Sequence, residues 1–289
     1  MPPAIRSLVR DQLPVLSLDG TSSRLAVALQ GAQVLDWQPH GAPPVLFLSP
    51  RSPFVAGKAV RGGVPLCFPW FGPNPDDPRA PQHGFARTME WTAEVLEIAA
   101  DGAARAVFGL APGTTSRSLW PREFTARLTV RAHARLELAL EVRNRGSSPF
   151  TFGAALHTYF AVSDVRRISV HGLEDTEYID KTAGGARRRE GTDPIVFRGE
   201  VDRAYVGTAA ACRIDDPDAG RRIRVAKSGS RSTVVWNPGE AKGAAVADLG
   251  PDAWARFVCV ETCNAADDVV TLAPGGTHTL AAEISIESC

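Results

Sequence analysis

Residues 124–143 read FTARLTVRAHARLELALEVR. In the first half Phe124, Ala126, Leu128 and Val130 interleave with Thr125, Arg127 and Thr129; in the second, Leu136, Leu138, Leu140 and Val142 interleave with Glu137, Glu141 and Arg143. A period of two places each apolar set on one face of an extended chain. Two such runs joined by a short break predict an antiparallel hairpin with one dry face and one wet face. The end of the chain repeats the pattern, with Leu280, Ala282, Ile284 and Ile286 on one face and Thr279, Glu283 and Ser285 on the other.

Working outward, further short strands are expected at Val15 to Leu18, Leu25 to Leu29, Val34 to Trp37, Val45 to Leu48, Trp91 to Ile98, Arg105 to Leu110, Ile168 to Val170, Arg222 to Val225 and Thr233 to Trp236. Helical periodicity is scarce, confined to short turns at Ser116 to Trp120 and Asp252 to Arg256. The 22 prolines and 26 glycines interrupt the rest. Many short strands, with few helices to cover a parallel sheet, indicate an all-β fold, a large antiparallel β-sandwich. No Pro/Gly/Ser-rich linker and no internal repeat divides residues 1–289, so one domain is expected.

Composition narrows the function classes. A hydrophobic fraction of 44% with 22% charged residues describes a chain with a core. The 32 basic and 32 acidic residues cancel, leaving no global field to hold nucleic acid or an anionic membrane surface, so a small molecule is the expected partner. The opening MPPAIRSLVRDQLP has no continuous apolar region of the secretory type, and no apolar run is long enough to cross a bilayer as a helix. A cytoplasmic protein is expected. Cysteines at 67, 212, 259, 263 and 289 are odd in number and form no CxxC pair, which favours reduced thiols over a disulfide framework or a structural zinc site. Four of the 32 basic residues, Lys58, Lys181, Lys227 and Lys242, are lysines and the others are arginines. In so arginine-rich a chain a single arginine is weak evidence of a ligand, and the run Arg187, Arg188, Arg189, Glu190 after two glycines reads as a solvated loop.

Three segments carry groups suited to chemistry. Residues 61–87, RGGVPLCFPWFGPNPDDPRAPQHGFAR, form a shaped loop in which Arg61, Gln82, His83 and Arg87 stand among apolar residues, the composition of a small-molecule pocket. In FTFGAALHTYFAV, alternation groups Gly153, Ala155, His157 and Tyr159 on one face; the first two leave room in front of the sheet. His157 is either a group facing a ligand or a half-buried histidine bonded to backbone. In RFVCVETCNA, Phe257, Cys259, Glu261 and Cys263 share a face on which Glu261 is the one carboxylate. Burial there raises a carboxyl pKa toward the range of a general base, unless an arginine pairs with it. Of the aromatics Trp70, Phe71, Phe85, Tyr159 and Trp236, one or two are expected at the site and the others in the core.

The ordered set RGGVPLCFPWFG, QHGFAR, ALHTYF, EVDRAY, VVWNP and FVCVETCNA resembles the aldose 1-epimerase superfamily, and within it the glucose-6-phosphate 1-epimerase branch. The resemblance implies a galactose-mutarotase-like β-supersandwich and a cofactor-independent interconversion of the α and β anomers of a hexose 6-phosphate. It implies His157 as the acid that protonates the ring oxygen and Glu261 as the base on the anomeric hydroxyl. By the same resemblance Arg61 and Arg87 would contact the anionic sugar, and Gln82, His83 and Asp202 would hold the substrate. His83 has two further readings, a second acid/base group or a metal ligand. No second His, Cys or carboxylate stands at ligand spacing from it, and no metal is expected. A mutarotase for a neutral aldose such as galactose, and a carbohydrate-binding module without catalysis, are the competing readings; a monomer is expected.

Overall fold

The computed structural model describes residues 3–288, so Cys289 lies outside the described residues. The stretch at 124–143 folds as read. Phe124–Ala132 and Arg135–Asn144 pair antiparallel, with Leu128 opposite Leu140 and Val130 opposite Leu138. Their burial alternates strictly from Phe124 to Ala132, which leaves Thr125 and Arg127 exposed.

This hairpin sits inside an eight-stranded sheet ordered Ser169–His171, Cys212–Asp216, Arg221–Ser228, Thr277–Ser288, Arg135–Asn144, Phe124–Ala132, Ala104–Leu110 and Thr92–Ile98. A second eight-stranded sheet runs Ala186–Arg189, Glu177–Asp180, Val201–Tyr205, Ser232–Asn237, Phe257–Asn264, Ala154–Leu156 and Leu66–Cys67, with Tyr159–Ala161 also pairing to Phe257–Asn264. We call it the site sheet. A four-stranded sheet, Ala4–Arg10 to Gln33–Pro39, and a two-stranded one complete the fold. Every strand pairing is antiparallel. One large core joins the layers: Leu128, Leu140 and Ile284 from one sheet meet Val258, Val260 and Phe160 from the other, and Leu18 and Trp37 from the N-terminal sheet. Apolar burial on this scale, at roughly 25 cal/mol per Å², is the main force holding the sheets together.

Several expectations need correction. Val45 to Leu48 is not a strand; it makes only isolated bridges, Leu46 to Phe160 and Leu48 to Gly62. FTFGAALHTYFAV is three short strands, Phe150–Phe152, Ala154–Leu156 and Tyr159–Ala161, and the first belongs to the two-stranded sheet. The arginine run is an exposed edge strand, Ala186–Arg189, in which Arg187 pairs with Glu177 and Asp267. Lining an edge with cations discourages another strand from adding there. The helical turns fall at Thr114–Leu119 and Ala253–Arg256, and a helix at Gly239–Ala245 gave no periodic signal. Among the described residues no helix is long and apolar enough to cross a membrane.

Candidate active site

The face of the site sheet that carries His157 and Glu261 is built in rows. Asp202 lies opposite Trp236, Trp236 opposite Cys259, and Cys259 opposite Tyr159. In the next row Ala204 is opposite Val234, and Val234 opposite Glu261. The flanking pairs, Leu156 with Thr262 and Tyr159 with Cys259, count His157 opposite Glu261 across the same strand. Register alone therefore brings the two together.

The loop at 61–87 holds that register. The amide of His157 donates to the carbonyl of Pro65 and the amide of Tyr159 to that of Gly63, at 3.0 and 2.9 Å. Gly63 has φ +61°, and an added Cβ would sit 2.1 Å from the carbonyl oxygen of Val34, so a side chain is excluded there. Further along, Leu66–Cys67 pairs with Ala155 and Leu156. The chain then returns through Phe68, whose carbonyl accepts from the amides of Phe85 and Ala86, and this contact carries His83 to the site.

His157 Nε2 stands 3.4 Å from Glu261 Oε1. Glu261 is 1% exposed and no arginine reaches it, so the ion-pair reading of that carboxylate gives way to a histidine contact. Its Oε2, and Nδ1 of His157, are buried without a hydrogen-bond partner. Tyr159 stacks on the imidazole, with centroids 4.9 Å apart and planes 14° apart, and Trp236 meets it edge-on at 6.0 Å. These walls keep the pair dry. Burial pushes the Glu261 carboxyl well above the usual carboxylate range, against the pull of Lys181. Burial, and after it His83 and Arg87, hold His157 well below the usual imidazole value. Both shifts disfavour the charged forms, so a neutral carboxyl beside a neutral imidazole is the arrangement that burial favours.

Around the pair stand the other groups. A cavity of about 390 Å³ is lined by Phe71, Gln82, His83, Lys181, Asp202 and Ala204, among others. Ala204 begins the row that ends in Glu261 and His157, and the His83 ring lies 5.8 Å from that of His157, so His83 stands between the cavity and the pair. Nδ1 of His83 accepts from the Gly72 amide at 3.2 Å. Burial, then Arg87 and Lys181, pull its pKa down to about 3. His83 is thus a neutral imidazole with Nε2–H free to donate. Asp202 pairs with Lys181 at 3.1 Å, and the Lys181 ammonium lies 4.7 Å from the centre of the Phe71 ring. Arg87 donates to the carbonyl of Gln82 at 2.7 Å.

Arg61 is placed differently. Its Nε bonds Asp248 at 3.0 Å and its Nη1 reaches the Tyr159 hydroxyl at 3.3 Å, and it does not line the cavity. Among the aromatics Phe71 lines the cavity and Tyr159 and Trp236 flank His157, while Trp70 and Phe85 belong to the core. Sequence reasoning missed Lys181 as a site group, and it missed Asp248. Lys181 had one signal, its rarity: a lysine retained where nearly every other cation is arginine.

A buried histidine and glutamate in contact, beside a cavity that Lys181 lines, agree with one family model. The model described as aldose 1-epimerase matches residues 14–285. The chain belongs to the aldose 1-epimerase family. A relative from Escherichia coli (strain K12), provisionally named glucose-6-phosphate 1-epimerase, is 38% identical over 258 residues, 89% of this chain and 85% of its own. Another of the same provisional name, from Cenchrus ciliaris, is 35% identical over 257 residues, 86% of this chain and 77% of its own. The crystal structure of a protein from Salmonella typhimurium, provisionally named a mutarotase, has a TM-score of 0.92 at 32% identity, covering 99% of this chain and 94% of that one. A galactose mutarotase-like protein from Clostridium acetobutylicum shares the fold at 13% identity, with a TM-score of 0.77 over 99% of each chain. The β-supersandwich expected from the sequence is thereby shown, and membership of the aldose 1-epimerase family makes the protein an isomerase.

Proposed function

We propose that the protein interconverts the α and β anomers of a hexose 6-phosphate, glucose 6-phosphate first among them, with His157 and Glu261 exchanging one proton in each direction. The observation that carries this reading is the 3.4 Å contact between two buried, oppositely shifted acid/base groups with no arginine between them.

Before a sugar binds, burial favours the proton of the pair on Glu261. A bound sugar alters the balance without changing the count: its anomeric hydroxyl donates to the carboxylate and its ring oxygen accepts from the imidazolium, so both charged forms gain a hydrogen bond that water no longer supplies. Glu261 then takes the proton from the anomeric hydroxyl while His157 gives its proton to the ring oxygen. The C1–O5 bond breaks and the aldehyde forms; rotation about C1–C2 presents the other face. Closure reverses both transfers and returns the proton pair to its starting atoms. Each positioned transfer is worth about 10²- to 10⁴-fold.

Substrate selection lies with the rim. Lys181 and Arg87 are the cations that act electrostatically on Glu261, and a phosphate bridging toward them would be held away from the dry floor. Gln82, His83 and Asp202 face the sugar as donors and acceptors for its hydroxyls. Arg61, tied to Asp248, stiffens Tyr159 against His157 and leaves only part of its guanidinium for a ligand.

The test starts from the pure α anomer of glucose 6-phosphate and follows the approach to anomeric equilibrium by NMR, with glucose and galactose in parallel. Faster exchange of the phosphorylated sugar is expected. No acceleration of any of the three overturns the reading, and preference for a neutral sugar overturns the phosphorylated substrate and the rim assignment while leaving the acid/base pair.

A further inference from the structure

The floor of the site holds a third group that the proton transfers do not use. Cys259 offers a sulfur on the same face as Glu261, and the donor atoms of His157, Cys259 and Glu261 all lie within 4.8 Å of one another. We propose that these three side chains form a binding site for a borderline-soft divalent cation of the Zn²⁺ class, and that its occupation blocks the sugar reaction.

The donor set supports the choice of ion. One imidazole nitrogen, one thiolate and one carboxylate oxygen suit Zn²⁺, whereas Mg²⁺ and Ca²⁺ prefer oxygen alone. Bond lengths of about 2.0 Å to N or O and 2.3 Å to S put tetrahedral ligands about 3.3 to 3.6 Å apart. The His157 to Glu261 edge is already 3.4 Å. The sulfur edges, each no longer than 4.8 Å, need to close by at most roughly 1 Å, within reach of a side-chain rotation. Three protein ligands leave a fourth position for an exogenous ligand, as in zinc sites that are not closed by protein alone.

An independent observation points the same way. Glu261 is 1% exposed, and its Oε2 is buried with no hydrogen-bond partner. A cation held on the Oε1 side and chelated by both carboxylate oxygens would satisfy that oxygen as well. Local charge permits it, because Arg61 is balanced by Asp248 and Lys181 by Asp202, which leaves Arg87 as the opposing cation of the site. Capture displaces the thiol proton of Cys259 and the carboxyl proton of Glu261 as the Zn–S and Zn–O bonds form, with no oxidation. The blocking effect rests on the acid/base reading proposed above; metal binding does not.

The experiment uses the full chain freed of metal by chelator, titrated with Zn²⁺ alone by calorimetry and with Co²⁺ as an absorbing probe. Expected are a single equivalent of Zn²⁺ and a thiolate-to-cobalt charge-transfer band. Cys259→Ala should lose the band and bind Zn²⁺ at least about 10- to 100-fold more weakly, since a direct ligand matters no less than the groups behind it. Whatever its own rate of anomer exchange in metal-free buffer, the same variant should not be slowed by Zn²⁺, and Cys259→Ser serves if alanine unfolds the chain. Cys263→Ala should keep the band. No binding by the wild type, or a band that survives in both Cys259 variants, overturns the site. Zn²⁺ bound at the triad without slowing anomer exchange overturns the blocking effect. Absence of anomer exchange in metal-free wild type would defeat the proposed function, while the cobalt band would still judge the metal site.

Discussion

Glu261→Gln separates catalysis from folding, because the two should move in opposite directions. The side chain is 1% exposed, its Oε2 has no partner, and burial holds it as the neutral acid well above its ordinary pKa. Glutamine copies the shape and neutrality of that acid but cannot accept the anomeric proton. The loss of one positioned transfer is about 10²- to 10⁴-fold in kcat, or roughly 3 to 5 kcal/mol of barrier. Stability follows the proton count. With its folded pKa raised above the unfolded one, wild-type Glu261 keeps its proton in the native state at pH values where the unfolded chain has lost it, so wild-type stability falls as pH rises through that window. Glutamine has no such proton to lose. The variant should therefore match the wild type in acid and exceed it in Tm at neutral and alkaline pH, with the gap growing upward from about pH 5. Anomer exchange by NMR and thermal melts across pH read both effects on one preparation. A near-normal rate in Glu261→Gln, or a variant less stable than wild type at neutral pH, would refute the reasoning.

Lys181→Met should lower kcat/KM for glucose 6-phosphate by about 10- to 150-fold, the worth of one hydrogen bond to a charged group, with little change on glucose; equal losses on both sugars would remove Lys181 from the phosphate. Arg61→Ala should instead reduce kcat on both sugars alike, because the guanidinium braces Tyr159 and Asp248; a loss confined to the phosphorylated sugar would return Arg61 to the phosphate. The pH dependence of kcat/KM should be a broad bell. Activity needs one proton on the pair, so it falls in acid only below the ordinary imidazole pKa, where His157 also protonates, and falls in base only well above the ordinary carboxylate pKa, where Glu261 ionises. A profile controlled by a single group near pH 4.5 would contradict the burial of Glu261.

The sheets were legible because burial on one face imposes alternation, and Leu128, Leu140 and Ile284 obey it wherever a strand lies on the core. Alternation also found the right faces for His157 and Glu261. It could not find their contact, which depends on Ala154–Leu156 and Tyr159–Ala161 lying beside Phe257–Asn264 in a register separated by about a hundred residues of chain. Val45 to Leu48 misled because its hydrophobicity serves the core while its backbone pairs only through isolated bridges. Lys181 lies in a single turn at Lys181–Ala183, too short for any period, and Asp248 lies in the segment after the Gly239–Ala245 helix, where no pattern exists. The metal-type cluster escaped for the same reason as the acid/base contact, since spacing along one segment shows Cys259 and Glu261 but not the histidine across the sheet.

The two rows of the site sheet suggest why chemistry and selection are kept apart. A pair that must share one proton needs a dry floor, and His157 and Glu261 obtain it from Tyr159, Trp236 and the surrounding sheet. A phosphate dianion placed on that floor would hold the proton on both groups and stop the exchange, since a nearby negative charge favours protonation. Its cations therefore belong on elements that can stand back from the floor. Lys181 does so from a turn at the rim and Arg87 from the end of the loop, each near enough to act on Glu261 electrostatically and neither in contact with it. A change of sugar specificity should then arise by substitution in the turn or the loop while the pair and its proton count stay as they are.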